Sequence, residues 1–304
     1  MAIRFDNRVA IVTGAGRGIG RAHALELAQR GAAVVVNDLG GDLRGDGPSG
    51  APADEVVAEI QSAGGKARAS YDDISDPGAA QAMIESAVDR FGGLDILVNN
   101  AGNLFHHEIA GFPVAEFERI MNVHLGGTFN ATRAACPLMY EAGWGRIVMT
   151  TSQVGFFGKP ESGIYGAAKM GVVGLMATLA LEAAAHGVLV NAVSPFAYTR
   201  MAEGTFPEAL EPLLEPAQIS AVVAYLSSEI CELTGQIVVA GGGHFSAARM
   251  VETIGIDIED PAAITAEVIA ERMGEIADMK GAQAFPDAMS AVGATFDKLR
   301  RRAG

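Results

Sequence analysis

The sequence predicts an α/β chain, with one doubly wound parallel sheet carrying helices on both faces. Three observations lead there. Short Val- and Ile-rich runs alternate with helical stretches along most of the 304 residues. The first run stops at a glycine-rich turn, Thr13-Gly14-Ala15-Gly16-Arg17-Gly18-Ile19-Gly20, and a helical pattern follows. The composition is 49% apolar, which supplies a large core and excludes a disordered chain.

The first strand runs from Val9 to Thr13, and Arg21 to Arg30 reads as the following helix. Glycines 14, 18 and 20 let the backbone turn tightly and approach a phosphate. Free N–H groups and the dipole at a helix start favour negative charge there. The turn is therefore expected to cradle a dinucleotide pyrophosphate. Its spacing, Gly-x-x-x-Gly-x-Gly, differs from the general Gly-x-Gly-x-x-Gly fingerprint. The plain alternative is a glycine-rich connection with no ligand.

The second strand, Ala33 to Asn37, leads into Asp38. A carboxylate there can accept from both adenosine ribose hydroxyls and repels a 2′-phosphate, which favours NAD over NADP. Arg17 and Arg44 keep a phosphate partner open. Gly40 to Pro52 is a long Gly- and Pro-rich loop. It either passes the adenosine or is a surface insertion.

Leu94 to Asn99 reads as another strand, and Gly145 to Ser152 as one with Ser152 at its C-terminal end. Open α/β sheets bind ligands at that edge, so Ser152 can hold a substrate oxygen. Tyr165 and Lys169 are spaced to share one face of a helix. A phenol is too weak an acid to serve as a base near neutrality, but an adjacent ammonium stabilises its phenolate. Together with an oxidised nicotinamide, Tyr165 can take an alcohol proton while hydride leaves. Asn122 is the fourth candidate, its amide holding a water that links Lys169 to solvent. Each residue alone is weak evidence, since most Tyr-x-x-x-Lys pairs are ordinary helix surface. The joint order behind the glycine turn carries the reading.

Met170 to Ala185 is the longest apolar stretch. Gly171, Gly174 and Glu182 within it argue for a buried helix over a membrane span. Val188 to Val193 is the next strand and Gln236 to Ala240 the last. Between them Met201 to Pro216 is short and broken by Pro207, Pro212 and Pro216. This brief lid implies an open cleft that admits a long substrate. Asp257 to Pro261 reads as a helix start with acids at the positive end of the dipole, and Ala266 to Ala277 as an amphipathic helix that needs a surface to cover. Lys298, Arg300, Arg301 and Arg302 form a basic end, read as solvated.

On these motifs the chain resembles the short-chain dehydrogenase/reductase family from Phe5 to Gly243. The resemblance implies a Rossmann-like domain. Gly14, Arg17, Gly18, Ile19 and Gly20 match the family's cofactor motif, and Asn99-Asn100-Ala101-Gly102 its segment along the adenosine ribose. Asp73-Ile74 resembles the pair that contacts adenine, with Asp72 the alternative. Asn122, Ser152, Tyr165 and Lys169 fall on the catalytic tetrad. Pro195 and Thr199 correspond to carboxamide-side cofactor contacts, although Pro195 to Met201 lacks the family's glycine and is one residue shorter.

A finer likeness is to the (3R)-hydroxyacyl-CoA dehydrogenase unit of peroxisomal multifunctional enzyme type 2. It rests on Val34 to Asp42, on the shortened turn ending Arg200-Met201, and on the segment from Arg249. It implies NAD, an acyl-CoA substrate and a free-standing version of that unit. The expected organisation is a cofactor-binding domain over 1–248 and a helical extension over 249–304, packed on the domain or on a partner subunit. Small residues Ala167, Ala168, Gly171 and Gly174 match the helix that pairs subunits in the family, implying at least a homodimer.

A formal net charge of −14 disfavours nucleic acid and anionic membrane as partners. CoA remains open, with Arg200, Arg249 and Lys159 as candidate cations. Cys136 and Cys231 make neither a disulfide framework nor a metal site, and the six histidines show no ligand spacing. His106-His107 either line the cleft or are a satisfied pair. Charges at Arg4, Asp6 and Arg8 exclude a signal peptide, and the terminal Ala-Gly is no peroxisomal address, so a cytoplasmic enzyme is expected. Two alternatives keep the chemistry: a hydroxysteroid dehydrogenase and an NADPH-dependent 3-ketoacyl reductase. A third, a non-catalytic dinucleotide sensor, is opposed by the retained Asn122, Ser152, Tyr165 and Lys169.

Overall fold

A computed structural model describes residues 2–204 and 206–303, with 301–303 described for their backbone only. By internal packing the chain divides into two units, 1–247 and 248–304.

The first unit is built on β1 (Val9–Thr13), β2 (Ala33–Asn37), β3 (Lys66–Ser70), β4 (Ile96–Asn99), β5 (Gly145–Thr150), β6 (Val188–Pro195), β7 (Ile237–Gly241) and β8 (His244–Ala248). Their order in the sheet is 3-2-1-4-5-6-7-8, and the pairings from β3 through β7 are parallel. The central strands are apolar without alternation because both faces are covered. Edge strand β3 instead alternates exposed Lys66 and buried Ala67, the charges guarding an open edge. That polar pattern kept it from standing out in the sequence. β8 is also additional to the expected strands. Gly242 and Gly243, at φ 55° and 73°, turn the chain back after β7, as a two-residue hairpin requires.

The helices are α1 (Gly18–Gln29), α2 (Ala51–Ser62), α3 (Pro77–Phe91), α4 (Val114–Met121), α5 (Gly127–Ala142), α6 (Gln153–Phe157), α7 (Gly163–Ala184) and α8 (Ala217–Leu226). α1 packs against α2 and α8 on one face, while α5 packs against α3 and α7 on the other. α1 starts at Gly18, earlier than the expected Arg21, so the motif glycines 18 and 20 form its first turn. Ala51 and Pro52, expected in the loop, open α2, where proline costs no hydrogen bond. A π turn, Asn122–Gly126, joins α4 to α5. α7 has the length and hydropathy to cross a membrane, yet it packs on β5, β6 and α5 and carries buried Lys169, as a core helix does.

The order of strands reverses between β1 and β4, which opens a crevice at their C-terminal ends. The glycine turn after β1 and the Asn99–Gly102 segment after β4 meet there.

The second unit holds α9 (Ala266–Ile276) and α10 (Ala288–Ala303). The expected start at Asp257 to Pro261 is corrected. Asp260 caps only a 3-10 turn, Pro261–Ala263, and α9 begins beyond it with the Thr265 hydroxyl accepting from the Val268 amide. A bridge between Glu252 and Gln283, and bonds from Thr253 Oγ1 to Ile276 O (2.7 Å) and from Lys298 Nζ to Ile254 O (2.7 Å), hold the unit together. Of the basic end, Lys298 and Arg300 are thus engaged, Arg300 with Asp297. The side chains of Arg301 and Arg302 lie outside the described residues.

Candidate active site

The glycine turn after β1 is built by main chain. Gly14 has φ 63°, and a Cβ on it would stand 2.7 Å from the Ala101 Cα. A Cβ on Gly20 would stand 2.2 Å from the Gly14 carbonyl oxygen. These glycines let the end of β1, the start of α1 and the end of β4 converge. Thr13 Oγ1 accepts from the amides of Asn100 (3.0 Å) and Ala101 (3.1 Å). Asn100 Nδ2 donates to the carbonyls of Thr13 (2.9 Å) and Gly14 (3.1 Å). The N-cap residue of α1, Arg17, makes no side-chain cap, so the first amides of the helix keep their capacity for an anion.

A cleft of about 600 Å³ opens in front of this turn. Of the expected residues, Gly14, Arg17, Gly18, Ile19, Gly20, Asp38, Asp73, Ile74, Ala101, Gly102, Asn122 and Thr199 line it. So does Asp72, the alternative to Asp73. Asn99 and Pro195 are not among its walls. Asn99 ends β4 with its amide turned away, donating to Thr132 Oγ1 on α5 (3.0 Å). Asn100, the next residue, faces the cleft instead, because side chains alternate along a strand.

The Asp38 carboxylate is held by backbone: Oδ2 accepts from Gly16 N and Oδ1 from Gly40 N, both at 2.7 Å. Its position at the end of β2 presents a negative charge to the far end of the cleft. The loop from Gly40 to Gly50 runs along this end, and Gly41, Asp42, Arg44 and Gly45 line the cavity. Arg17 Nη1 and Arg200 Nη2 both donate to the Gly41 carbonyl, at 3.1 and 3.3 Å. Arg119 Nη2 ties down the other side through Arg44 O (2.9 Å) and Asp46 Oδ1 (2.8 Å). Sequence reasoning singled out neither Arg119 nor the Arg200 contact, since nothing local links residues so far apart. His106 and His107 do not line the cavity. They are engaged by Ser162 Oγ (3.2 Å) and Glu116 Oε2 (2.7 Å).

Beyond the cavity walls lie Ser152, Tyr165 and Lys169. Ser152 follows β5 and caps α6, accepting from Val154 N at 3.2 Å. Tyr165 and Lys169 share a face of α7, with Nζ 5.7 Å from the phenol ring centre. Lys169 donates to the Thr150 carbonyl (2.8 Å), and Thr151 Oγ1 donates to the Lys169 carbonyl (2.9 Å), so the end of β5 anchors the helix. Burial pulls the Lys169 ammonium down to about 7. Burial pushes the Tyr165 phenol up, and a hydrogen bond with Ser152 works against that rise. A phenolate is stabilised by an ammonium on the same helix face. A hydroxyl, a phenol and an ammonium so arranged can orient an alcohol and move its proton.

Asn122 opens the π turn, is exposed and lines the cleft. The ring packed against Tyr165 is that of His124, with centres 5.2 Å apart and planes at 88°. His124 is 2% exposed, and burial, assisted by the Lys169 charge, pulls its pKa down to about 3. A π turn has no reliable sequence signature, so the face it presents was not legible.

Residues 8–209 match the short chain dehydrogenase family model. The chain is 42% identical to peroxisomal multifunctional enzyme type 2 of Drosophila melanogaster over 99% of its own length and 51% of that protein's. It is 41% identical to a putative short-chain type dehydrogenase/reductase of Mycobacterium tuberculosis, over 91% of this chain and 96% of that one. The solved full-length Drosophila enzyme superposes with a TM-score of 0.83 at 36% identity, covering 98% of this chain and 50% of that one. The chain thus spans about half the length of the multifunctional relatives it matches. The glycine turn, the cleft and these likenesses agree: the chain belongs to the short-chain dehydrogenase/reductase family.

Proposed function

We propose that this oxidoreductase interconverts (3R)-hydroxyacyl-CoA and 3-ketoacyl-CoA with NAD. The observation that carries the reaction is half-buried Tyr165 paired with buried Lys169 on α7, with Ser152 beside the phenol. Ser152 holds the substrate oxygen, Tyr165 takes the hydroxyl proton as the carbonyl forms, and Lys169 keeps the phenolate stable. Bound nicotinamide supplies the hydride acceptor. The cradle fits such a cofactor, since a Cβ at Gly14 or Gly20 would meet backbone. Gly14, Gly18 and Ile19 would face the pyrophosphate, Asp38 the ribose hydroxyls, and Asp73 and Ile74 the adenine. Thr199, whose Cγ2 is 3.3 Å from where a Cβ on Gly18 would be, would contact the cofactor on its carboxamide side.

The choice of NAD rests on Asp38, whose charge opposes a 2′-phosphate. The acyl-CoA class is supported by relatives named multifunctional enzyme type 2 and hydratase-dehydrogenase-epimerase. A second reading, an NADPH-dependent 3-ketoacyl reductase, is favoured by Arg17 and Arg200 beside Asp38 and by relatives named 3-oxoacyl-[acyl-carrier-protein] reductase. A homodimer belongs to the proposal, supported by exposed Phe129 on α5 and Leu181 on α7. So does the helical extension, through α9 or α10, as a contact with the domain or a second subunit. Cytoplasmic residence is also part of it, although several relatives carry peroxisomal in their names.

The test is a turnover screen of purified protein over short, medium and steroid-side-chain hydroxyacyl-CoA thioesters, with NAD and NADP. NAD reduction with one of them, lost by a factor of about 100 or more in Tyr165→Phe, is expected. No reduction with any thioester would remove the CoA reading.

A further inference from the structure

The loop after β2, residues 40–50, is closed at its neck. Ser49 N donates to Leu39 O at 3.0 Å, and Gly40 leaves no room for a Cβ against the Ser49 carbonyl. Its tip is bonded internally. Asp42 Oδ1 accepts from the amides of Arg44 (2.8 Å) and Asp46 (3.0 Å), and Asp42 N donates to Asp46 O (2.8 Å). A loop with a pinched neck and a self-bonded tip moves as one body about its ends.

The groups that hold the tip come from across the cleft. Arg17 at the start of α1 and Arg200 after β6 both donate to Gly41 O, which has two lone pairs to share. Leu104 N, after β4, donates to Leu43 O at 2.9 Å. On α4, Arg119 bonds Arg44 O and Asp46, and Glu116 lies 4.0 Å from the Arg44 guanidinium. Arg44 and Arg119 both lie over the buried Phe105 ring, at 5.6 and 5.5 Å from its centre. β2 and β6 are four places apart in the sheet, about 19 Å at the usual strand spacing. Between them stand β1 and β4, whose ends open the crevice. The loop therefore crosses the crevice, and Gly41, Asp42, Arg44 and Gly45 line one cavity together with Gly14 and Ala101.

We infer that residues 40–50 are a strap over the bound dinucleotide, and that Arg119 is the positioning residue that latches it, so the strap must lift for cofactor to enter or leave. This rests on the dinucleotide reading above. The Arg119 and Asp46 side chains are 41% and 62% exposed, so water screens their attraction and the latch is weak enough to open. The latch is made by protein groups alone. Loosening it therefore speeds entry and exit together and leaves the dissociation constant nearly unchanged.

Stopped-flow fluorescence of NADH measures both rates, release being read by a chase with excess NAD. Asp46→Ala is the cleaner variant, since Asp46 holds Arg119 and is not among the cavity walls, whereas Arg119 is. Asp46→Ala should raise association and release by about threefold, the worth of a screened ion pair. Arg119→Ala also loses the bond to Arg44 O and should raise both by roughly tenfold. The double variant should match Arg119→Ala within about twofold, because both changes open one latch. In all three the dissociation constant should stay within about threefold of wild type. Wild-type rates in both single variants overturn the inference. Faster release with unchanged association also overturns it and makes the loop a fixed wall of the site. So does acceleration in Arg119→Ala alone, which would make Arg119 a direct cofactor contact, or effects that multiply in the double variant. A wild type that binds neither NADH nor NADPH removes the dinucleotide reading and the strap with it. Binding without turnover of any thioester removes only the acyl-CoA reading, and the rates still decide the strap.

Discussion

Replacing Asp38 with alanine should reverse the order of the two nicotinamide cofactors. The carboxylate stands at the end of β2 with each oxygen fixed by a backbone amide at 2.7 Å. Its lone pairs are therefore shared, and the bonds it offers a ribose fall at the low end for charged acceptors, about 1.5 kcal/mol each. Losing one or two of them weakens NADH by about 10- to 100-fold. For NADPH the balance is opposite. Two unit charges about 4 Å apart repel by about 4 kcal/mol near a protein surface, less after screening by salt. Removing Asp38 lifts that repulsion and leaves Arg17 and Arg200, both within reach of the Gly41 carbonyl, to face the 2′-phosphate. Fluorescence titration of both reduced cofactors at fixed ionic strength measures the ratio of dissociation constants. A change of at least about 100-fold toward NADPH is expected. A ratio within twofold of wild type, or a wild type that already binds NADPH more tightly, would refute the argument from charge.

Gly14→Ala forces a left-handed φ of 63° and a Cβ 2.7 Å from the Ala101 Cα. Urea unfolding should show a loss of at least about 1–2 kcal/mol, and NADH binding should weaken with it. Burial pulls both His23 and His124 down to about 3, whereas the unfolded chain protonates them near 6.5. Their contribution is therefore complete above pH 6.5 and is lost as pH falls toward 3, at roughly 1.4 kcal/mol per pH unit for each histidine. Urea midpoints at pH 7 and pH 5 should differ accordingly, with a smaller difference in His23→Gln, and equal midpoints would contradict the assignment. Arg119→Ala releases Arg44 and Asp46, so trypsin should cut at Arg44 several-fold faster. An unchanged cleavage rate would mean that the loop is held by other contacts.

Much of the molecule was legible because its signals are local. The Val9–Thr13 run, the glycines after it and the four-residue step from Tyr165 to Lys169 are short-range patterns that backbone geometry converts directly into strand, turn and helix face. β3 was harder, since an edge strand with Lys66 and Arg68 carries no apolar run. Asn99 and Asn100 differ by one step in a strand, and only the packing of α5 shows which of them leaves the cleft. Residue order decided that a glycine-rich turn after β1 and a phenol and an amine on one helix face exist. Tertiary packing decided what meets them: the loop drawn over the cleft by Arg17, Arg119 and Arg200, and His124 in place of Asn122 beside the phenol. The reason is physical. Periodicity sets which side of its own element a residue occupies, whereas a π turn rotates that side, and partners distant in sequence are chosen by the whole core.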